Sequence, residues 1–188
     1  MTEGARPATT ASDPTEDEFL VLTDESDVVV GYERKGRVHD GEGLLHRAFS
    51  IFLFDGEGRI LLQKRSAAKR LWPGHWSNSC CGHPRRGESL DLATARRLRE
   101  ELGLEAALER LFSVNYRFRY GDAGSEHEVC SVLRGKLTGE PRPDPREVAE
   151  WRLATPEDVT RSLKESAAEH TPWFTLEWKI LLERYPKG

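Results

Sequence analysis

The sequence of 188 residues has only three cysteines and one methionine, and two of the cysteines, Cys80 and Cys81, are adjacent. Three thiols so placed cannot form a disulfide framework, and they suit a reducing compartment, so their interest is chemical. Long hydrophobic runs are also missing. The longest, Ala48 to Phe54, falls far short of the roughly 20 residues that span a bilayer as a helix. The N-terminus lacks the charged-then-apolar pattern of a secretory signal, so a cytoplasmic location with no membrane partner is expected. Charge of one sign is not in excess either: the net charge is −4 with 32% charged residues, which offers no electrostatic reason to expect nucleic acid or anionic membrane as a partner. No internal repeat is visible, and no obligatory protein partner is inferred. What remains is a chain of ordinary domain size with 37% hydrophobic residues, enough to bury one core.

Residues 1–17 are rich in Thr, Ala, Pro and acidic residues without apolar periodicity, so a disordered, solvated tail is expected there and a single folded domain over residues 18–188. Within that domain, Phe19 to Leu22 and Val28 to Tyr32 read as an N-terminal strand pair. Ala48 to Phe54 and Arg59 to Gln63 flank the turn Asp55-Gly56-Glu57-Gly58 and predict a hairpin. Apolar residues at Leu90, Ala93, Leu98 and Leu102 predict a helix, with Ser89 as its cap and Gly103 as its stop. A second strand pair, Leu111 to Tyr120 and Glu128 to Leu137, then a strand over Val148 to Leu153, follow. Thr155-Pro156 and Thr171-Pro172 each open a helix, the last running to about Arg184. This irregular mixture implies a mixed sheet with helices on its faces.

Two constellations carry the chemistry. The first is Gly82-His83-Pro84-Arg85-Arg86-Gly87-Glu88, continuing to Arg96, Glu100-Glu101 and Gly103-Leu104. Glycine, glutamate, arginine, paired glutamates and glycine fall in the register of the Nudix motif, which this segment resembles. In that family the helix glutamates hold a divalent metal on a substrate diphosphate. One position departs from the hydrolytic pattern: Arg97 stands directly after Arg96 where those enzymes carry a glutamate. Arg97 and Glu101 are four apart and share a helix face, so a cation replaces a metal ligand, and a guanidinium there can grip phosphate instead.

The second constellation is His39, His46, His83, Glu126 and Glu128. In extended backbone, Cys81 and His83 point to one side, and Glu126 aligns with Glu128 while His127 is excluded. Three imidazoles and two carboxylates suit Zn²⁺, Mn²⁺ or a similar ion.

Around both sets, Leu45-His46-Arg47-Ala48-Phe49-Ser50, Trp72-Pro73-Gly74, Asn78-Ser79-Cys80-Cys81-Gly82-His83-Pro84, Glu126-His127-Glu128 and Thr171-Pro172-Trp173 resemble the type 1 isopentenyl-diphosphate isomerases over almost the whole chain after the tail. The resemblance implies a Nudix-like α/β fold, a mixed β-sheet sandwiched between helices with an N-terminal strand extension. It implies reversible conversion of isopentenyl to dimethylallyl diphosphate by protonation and deprotonation, with Cys81 and Glu128 as the proton-handling groups. It places one Mn²⁺ or Zn²⁺ on the three histidines and two glutamates, and one Mg²⁺ on the diphosphate, held by Glu101 and the backbone carbonyl of Cys81. Tyr116, ten residues before Glu126, matches the tyrosine near the acid, with Tyr120 as its rival. Trp173 matches the aromatic beside the cationic centre, and Lys35, Arg65 and Lys69 match the phosphate contacts, with Arg97 expected to join them. The rival readings are a Nudix diphosphohydrolase and a non-catalytic diphosphate-binding protein.

Overall fold

The computed structural model describes residues 18–185; the tail expected over residues 1–17 lies outside them. The longest apolar stretch, broken only by Ser50, becomes the central strand. β1 (Phe19–Thr23) and β2 (Val29–Arg34) form the N-terminal hairpin, α1 (Lys35–Val38) is a single turn, and β3 (His46–Phe54) follows. Next come β4 (Ile60–Arg65), the short strands β5 (Trp76–Ser77) and β6 (Cys80–Gly82), and α2 (Leu90–Leu102). The long strands β7 (Leu108–Tyr120) and β8 (Gly124–Lys136), β9 (Val148–Ala154), α3 (Pro156–Glu165), a 3-10 turn over Ala167–Glu169 and α4 (Pro172–Arg184) complete the chain.

Among the described residues, all nine strands belong to one mixed sheet. β3 runs parallel to β8 along its whole length, while its other edge takes β1, β6 and β4 in turn, all antiparallel. β3 is covered on both faces, which explains why its sequence is apolar on both rather than alternating. Ala48 and Phe52 face a core with α3 and α4 that includes Val159, Phe174 and Trp178, whereas Phe49, Ile51 and Leu53 face a second core with Ala93, Leu98 and Leu102 of α2. Each fully buried phenylalanine in this strand contributes roughly 1.5–3 kcal/mol of transfer free energy. The expected sheet between helices is therefore the observed architecture.

The helix ends follow their sequence signals with one exception. Ser89 accepts a hydrogen bond from the Leu92 amide, Thr155 accepts one from Asp158, and Gly103 closes α2 in the left-handed conformation. Thr171 flanks α4 but makes no side-chain cap; its hydroxyl is 2.9 Å from that of Ser77, tying the start of α4 to the segment that leads into β6. Several strand limits also shift. β8 begins at Gly124 rather than Glu128, so Glu126 lies inside the strand; β7 begins at Leu108 rather than Leu111, β3 at His46 rather than Ala48, and β2 and β4 extend to Arg34 and Arg65. Among the described residues no helix is long and apolar enough to cross a membrane.

Candidate active site and metal centre

Strand register assembles the site. β8 lies between β7 and β3, with Glu128 opposite Tyr116 on one side and His46 on the other. Alternation then places Glu126, Glu128 and Cys130 of β8 on the same face as His46, Ala48, Ser50 and Phe52 of β3. β6 sets Cys81 opposite Ser50, and α4 crosses this face, carrying Trp173 and, one turn later, Glu177.

His39 follows α1 directly, and its carbonyl accepts from the Ser125 amide at 3.0 Å. Gly124 makes that approach possible: its φ is 135°, and a Cβ there would sit 2.1 Å from the His39 oxygen. The glycine thus seats His39 beside Glu126.

The five expected ligand residues converge, with their donor atoms all within 4.8 Å of one another. His83 Nε2 lies 2.9 Å and His46 Nε2 3.6 Å from Glu128 Oε1, and His39 Nε2 lies 3.0 Å from Glu126 Oε2. His39 Nδ1 and His46 Nδ1 each lie 2.8 Å from a backbone carbonyl, of Lys35 and Leu44. A carbonyl only accepts, so both Nδ1 atoms carry the proton and both Nε2 atoms present a lone pair to the cluster. Although close, His39 Nε2, His46 Nε2 and Glu126 Oε2 are buried with no aligned hydrogen bond. Buried polar atoms in folded proteins are normally satisfied. Orphaned donor atoms of mixed N and O type, converging in a small volume, fit a divalent cation. His127, as parity requires, points away and meets the Gly43 carbonyl at 3.2 Å.

Electrostatics agree with this use at His83 and at both glutamates. Burial, with His46 and His39 crowding it, drives His83 well below the ordinary imidazole value, which keeps it in the neutral, ligating form. Burial pulls Glu126 upward, but the close approach of His39 outweighs it, and Glu126 lies below its ordinary value. Glu128 behaves likewise: burial raises it, and the close approach of His46, with the Tyr116 hydroxyl, brings it lower. For His39, burial opposes protonation, yet Glu126 prevails and raises it.

The two proton-handling candidates line one cleft, together with Tyr116 and Trp173. Burial, and next the Glu177 carboxyl, push the Cys81 thiol up to about 12, with Ser50 acting the other way. Cys81 Sγ is 3.0 Å from Asn78 Oδ1 and 3.6 Å from Ser50 Oγ. Tyr116 donates a short hydrogen bond to Glu128 Oε2. Tyr120 packs instead against Trp72 and His75, with ring centroids at 5.0 and 6.0 Å. Of the two tyrosines, Tyr116 is therefore the one that meets Glu128. Trp173 is 3% exposed and stands edge-on to Trp72 at 5.1 Å.

Lys35, Arg65, Lys69 and Arg97 line the same cleft, with Glu101 and Glu147 among them. Arg65 spends Nε and Nη2 on the Leu71 and Trp72 carbonyls and lies 5.3 Å over the Trp173 ring. Arg97 pairs with Glu101, with Glu100 at 2.8 Å and with Glu147 at 3.1 Å. The helix face thus bears a carboxylate-clamped cation where a second carboxylate ligand would otherwise stand. Glu101 also accepts from Gln63 at 3.2 Å. Glu147 holds both Lys69 and Arg97.

Sequence reasoning missed Ser50, Asn78, Glu147 and Glu177 as site residues. Ser50 carried a signal, being the lone hydroxyl in an apolar strand. Glu177 carried a weaker one, a glutamate on the otherwise apolar buried stripe of its helix. Glu147 lies in a loop that only the fold brings to the cleft, and Asn78 is buried beside Cys81.

Comparison with known proteins agrees with this geometry. The NUDIX domain family matches residues 44–174. An isopentenyl-diphosphate Delta-isomerase of Serratia proteamaculans is 42% identical over 165 residues, covering 88% of this chain and 92% of that protein. One from Nocardia farcinica is 46% identical over 153 residues, covering 81% and 87%. Among solved structures, DR0079 of Deinococcus radiodurans superposes with a TM-score of 0.71 at 23% identity, covering 87% of this chain and 98% of that one, a likeness of fold. With a Nudix helix, a converged histidine–glutamate cluster and relatives matched along most of their length, the chain belongs to the isopentenyl-diphosphate Delta-isomerase family of Nudix proteins.

Proposed function

We propose that this protein interconverts isopentenyl and dimethylallyl diphosphate, with Cys81 and Glu128 moving the protons. The observation that carries this reading is the register that brings a thiol and a tyrosine-bound carboxyl to one buried cleft lined by cations. Shifting the double bond requires adding a proton to the terminal methylene and removing one from the carbon two bonds away, beside the carbon that bears the diphosphate. Tertiary carbocation character develops at the carbon between them.

Cys81 and Glu128 supply the giving and receiving groups and exchange roles when the reaction reverses; positioned acid–base groups contribute about 100- to 10,000-fold each. The Tyr116 hydroxyl holds Glu128 in orientation. The Trp173 ring gives the cationic carbon an electron-rich face while Leu71 and Tyr116 help exclude water, and such a contact gains about 2 kcal/mol when desolvated. Lys35, Arg65, Lys69 and Arg97 bind the diphosphate, which fixes the hydrocarbon end between the proton-handling groups.

His39, His46, His83, Glu126 and Glu128 would hold Mn²⁺ or Zn²⁺, and Glu101 with the Cys81 carbonyl would hold Mg²⁺ against the diphosphate. Bound there, such ions would supply a shift in the proton affinity of Glu128 and neutralisation of phosphate charge. Hydrolysis is disfavoured by Arg97, a guanidinium clamped on Glu101 where a water-activating metal cluster needs another carboxylate. Incubating the metal-replete protein with isopentenyl diphosphate and Mg²⁺ in deuterated water should yield deuterated dimethylallyl diphosphate and no free phosphate. Phosphate release without isomer would overturn the proposal.

A further inference from the structure

Glu177 sits within α4, one turn past Trp173, and is 0% exposed. The proton-transfer scheme leaves it unused. Its Oε1 accepts from the Cys130 thiol at 3.3 Å, while Oε2 is buried without a hydrogen-bond partner among the described residues. The side chains acting on it are Ser50 of β3 and Cys130 of β8, which favour its anion, and Glu128 of β8, which opposes it. Cys81 of β6 and Tyr116 of β7 feel its charge in turn. None of these groups is a cation. An ionised Glu177 would be a buried charge without a counterion and with one oxygen unsatisfied, a strongly disfavoured state. The carboxyl therefore keeps its proton, and burial pushes it up to about 8.

The Ser50 hydroxyl accepts from the Cys130 thiol at 3.5 Å and has a single hydrogen to place between Cys81 Sγ at 3.6 Å and the Glu177 carboxyl. A carboxylate accepts far more strongly than a sulfur. Ionised, Glu177 draws that hydrogen to itself; protonated, it has a hydrogen of its own to give to the Ser50 oxygen, which leaves the serine hydrogen for Cys81. We propose that Glu177 is a positioning residue which, as a neutral carboxyl behind the reacting pair, leaves the Ser50 hydroxyl donating to Cys81 Sγ and so orients that sulfur toward the substrate. This inference rests on the proposed role of Cys81.

The test compares kcat and KM across pH for the metal-replete wild type, Glu177→Gln and Ser50→Ala with isopentenyl diphosphate. Wild-type kcat should fall above about pH 8 as Glu177 ionises. Glu177→Gln, neutral at every pH, should hold its own neutral-pH kcat into the alkaline range. Ser50→Ala should lower kcat about 10-fold at neutral pH with KM unchanged, the cost of one hydrogen bond in the transition state, and should also lack the alkaline loss. Superimposable wild-type and Glu177→Gln profiles would overturn the proposal, as would full kcat in Ser50→Ala. If Glu177→Gln fails to fold, Ser50→Ala decides by the same two readouts. The wild-type rate tests the isomerase reading and the variant-to-wild-type ratios test Glu177, so the two failures are distinguishable.

Discussion

Removing one oxygen atom tests the centre of the proposed mechanism. In Tyr116→Phe the ring remains, packed in a core that buries it to 8% exposure, but the donor to Glu128 Oε2 is lost. Glu128 is itself 5% exposed, so water does not readily replace the hydroxyl. A hydrogen bond to a charged group is worth about 1.5–3 kcal/mol, and at 1.36 kcal/mol per decade its loss in the transition state lowers kcat about 10- to 100-fold. KM should hold, because the hydroxyl faces Glu128 and not the phosphate-binding cations. Tyr120→Phe is the matched control, since that ring packs against Trp72, and its kcat should stay within about 2-fold of wild type, as expected where only surface-level stability changes of about 0.5 kcal/mol are in play. Steady-state kinetics with isopentenyl diphosphate decide the matter. Wild-type kcat in Tyr116→Phe, or greater damage from Tyr120→Phe, would refute the role of Tyr116.

Cys81→Ala should abolish turnover while inorganic diphosphate still binds by calorimetry; an active variant would remove Cys81 from proton transfer. Stripping metal with a chelator should lower the melting temperature, because an ion present at 100 times its Kd stabilises by about 2.7 kcal/mol, or roughly 5–10 °C for a domain of this size; Mn²⁺ or Zn²⁺ should restore it in the wild type and not in His46→Ala. Glu147 supplies a pH prediction. Burial raises its carboxyl, but Lys69 and Arg97 outweigh burial and bring it below its ordinary 4.5. Its folded-state value is thus lower than its unfolded one, so its contribution is present above that value and is lost as pH falls through the folded value. Urea titrations should show Glu147→Gln with a shallower loss of stability on acidification below about pH 5 than wild type; parallel curves would refute the pairing.

Much of this was legible before any coordinates. The strand parity of Cys81 with His83 and of Glu126 with Glu128 follows from a period of two, and the exclusion of His127 follows from the same rule. α2 was readable between Ser89 and Gly103 because a cap, an apolar stripe and a stop agreed. Parity alone does not separate Tyr116 from Tyr120, since residues four apart on one strand share a face; the resemblance favoured Tyr116 by its spacing to Glu126, and the pairing of Tyr116 opposite Glu128 gives the physical distinction. Arg97 was correctly placed on the face of Glu101, but its partner Glu147 lies 50 positions away in sequence and no local pattern joins them.

The sequence by itself determined which chemistry this protein has to offer: a histidine–glutamate donor set, a thiol, and a Nudix helix with a cation replacing a carboxylate. Those are properties of residue type and short-range spacing, governed by helix and strand periodicity. The tertiary structure decided what lies behind that chemistry. The parallel pairing of β3 with β8 and the crossing of α4 put Ser50, Cys130 and Glu177 in a row beside Cys81. Such contacts join residues dozens of positions apart. They arise only when the buried faces of separate elements close on one another and leave polar groups no solvent in which to find other partners.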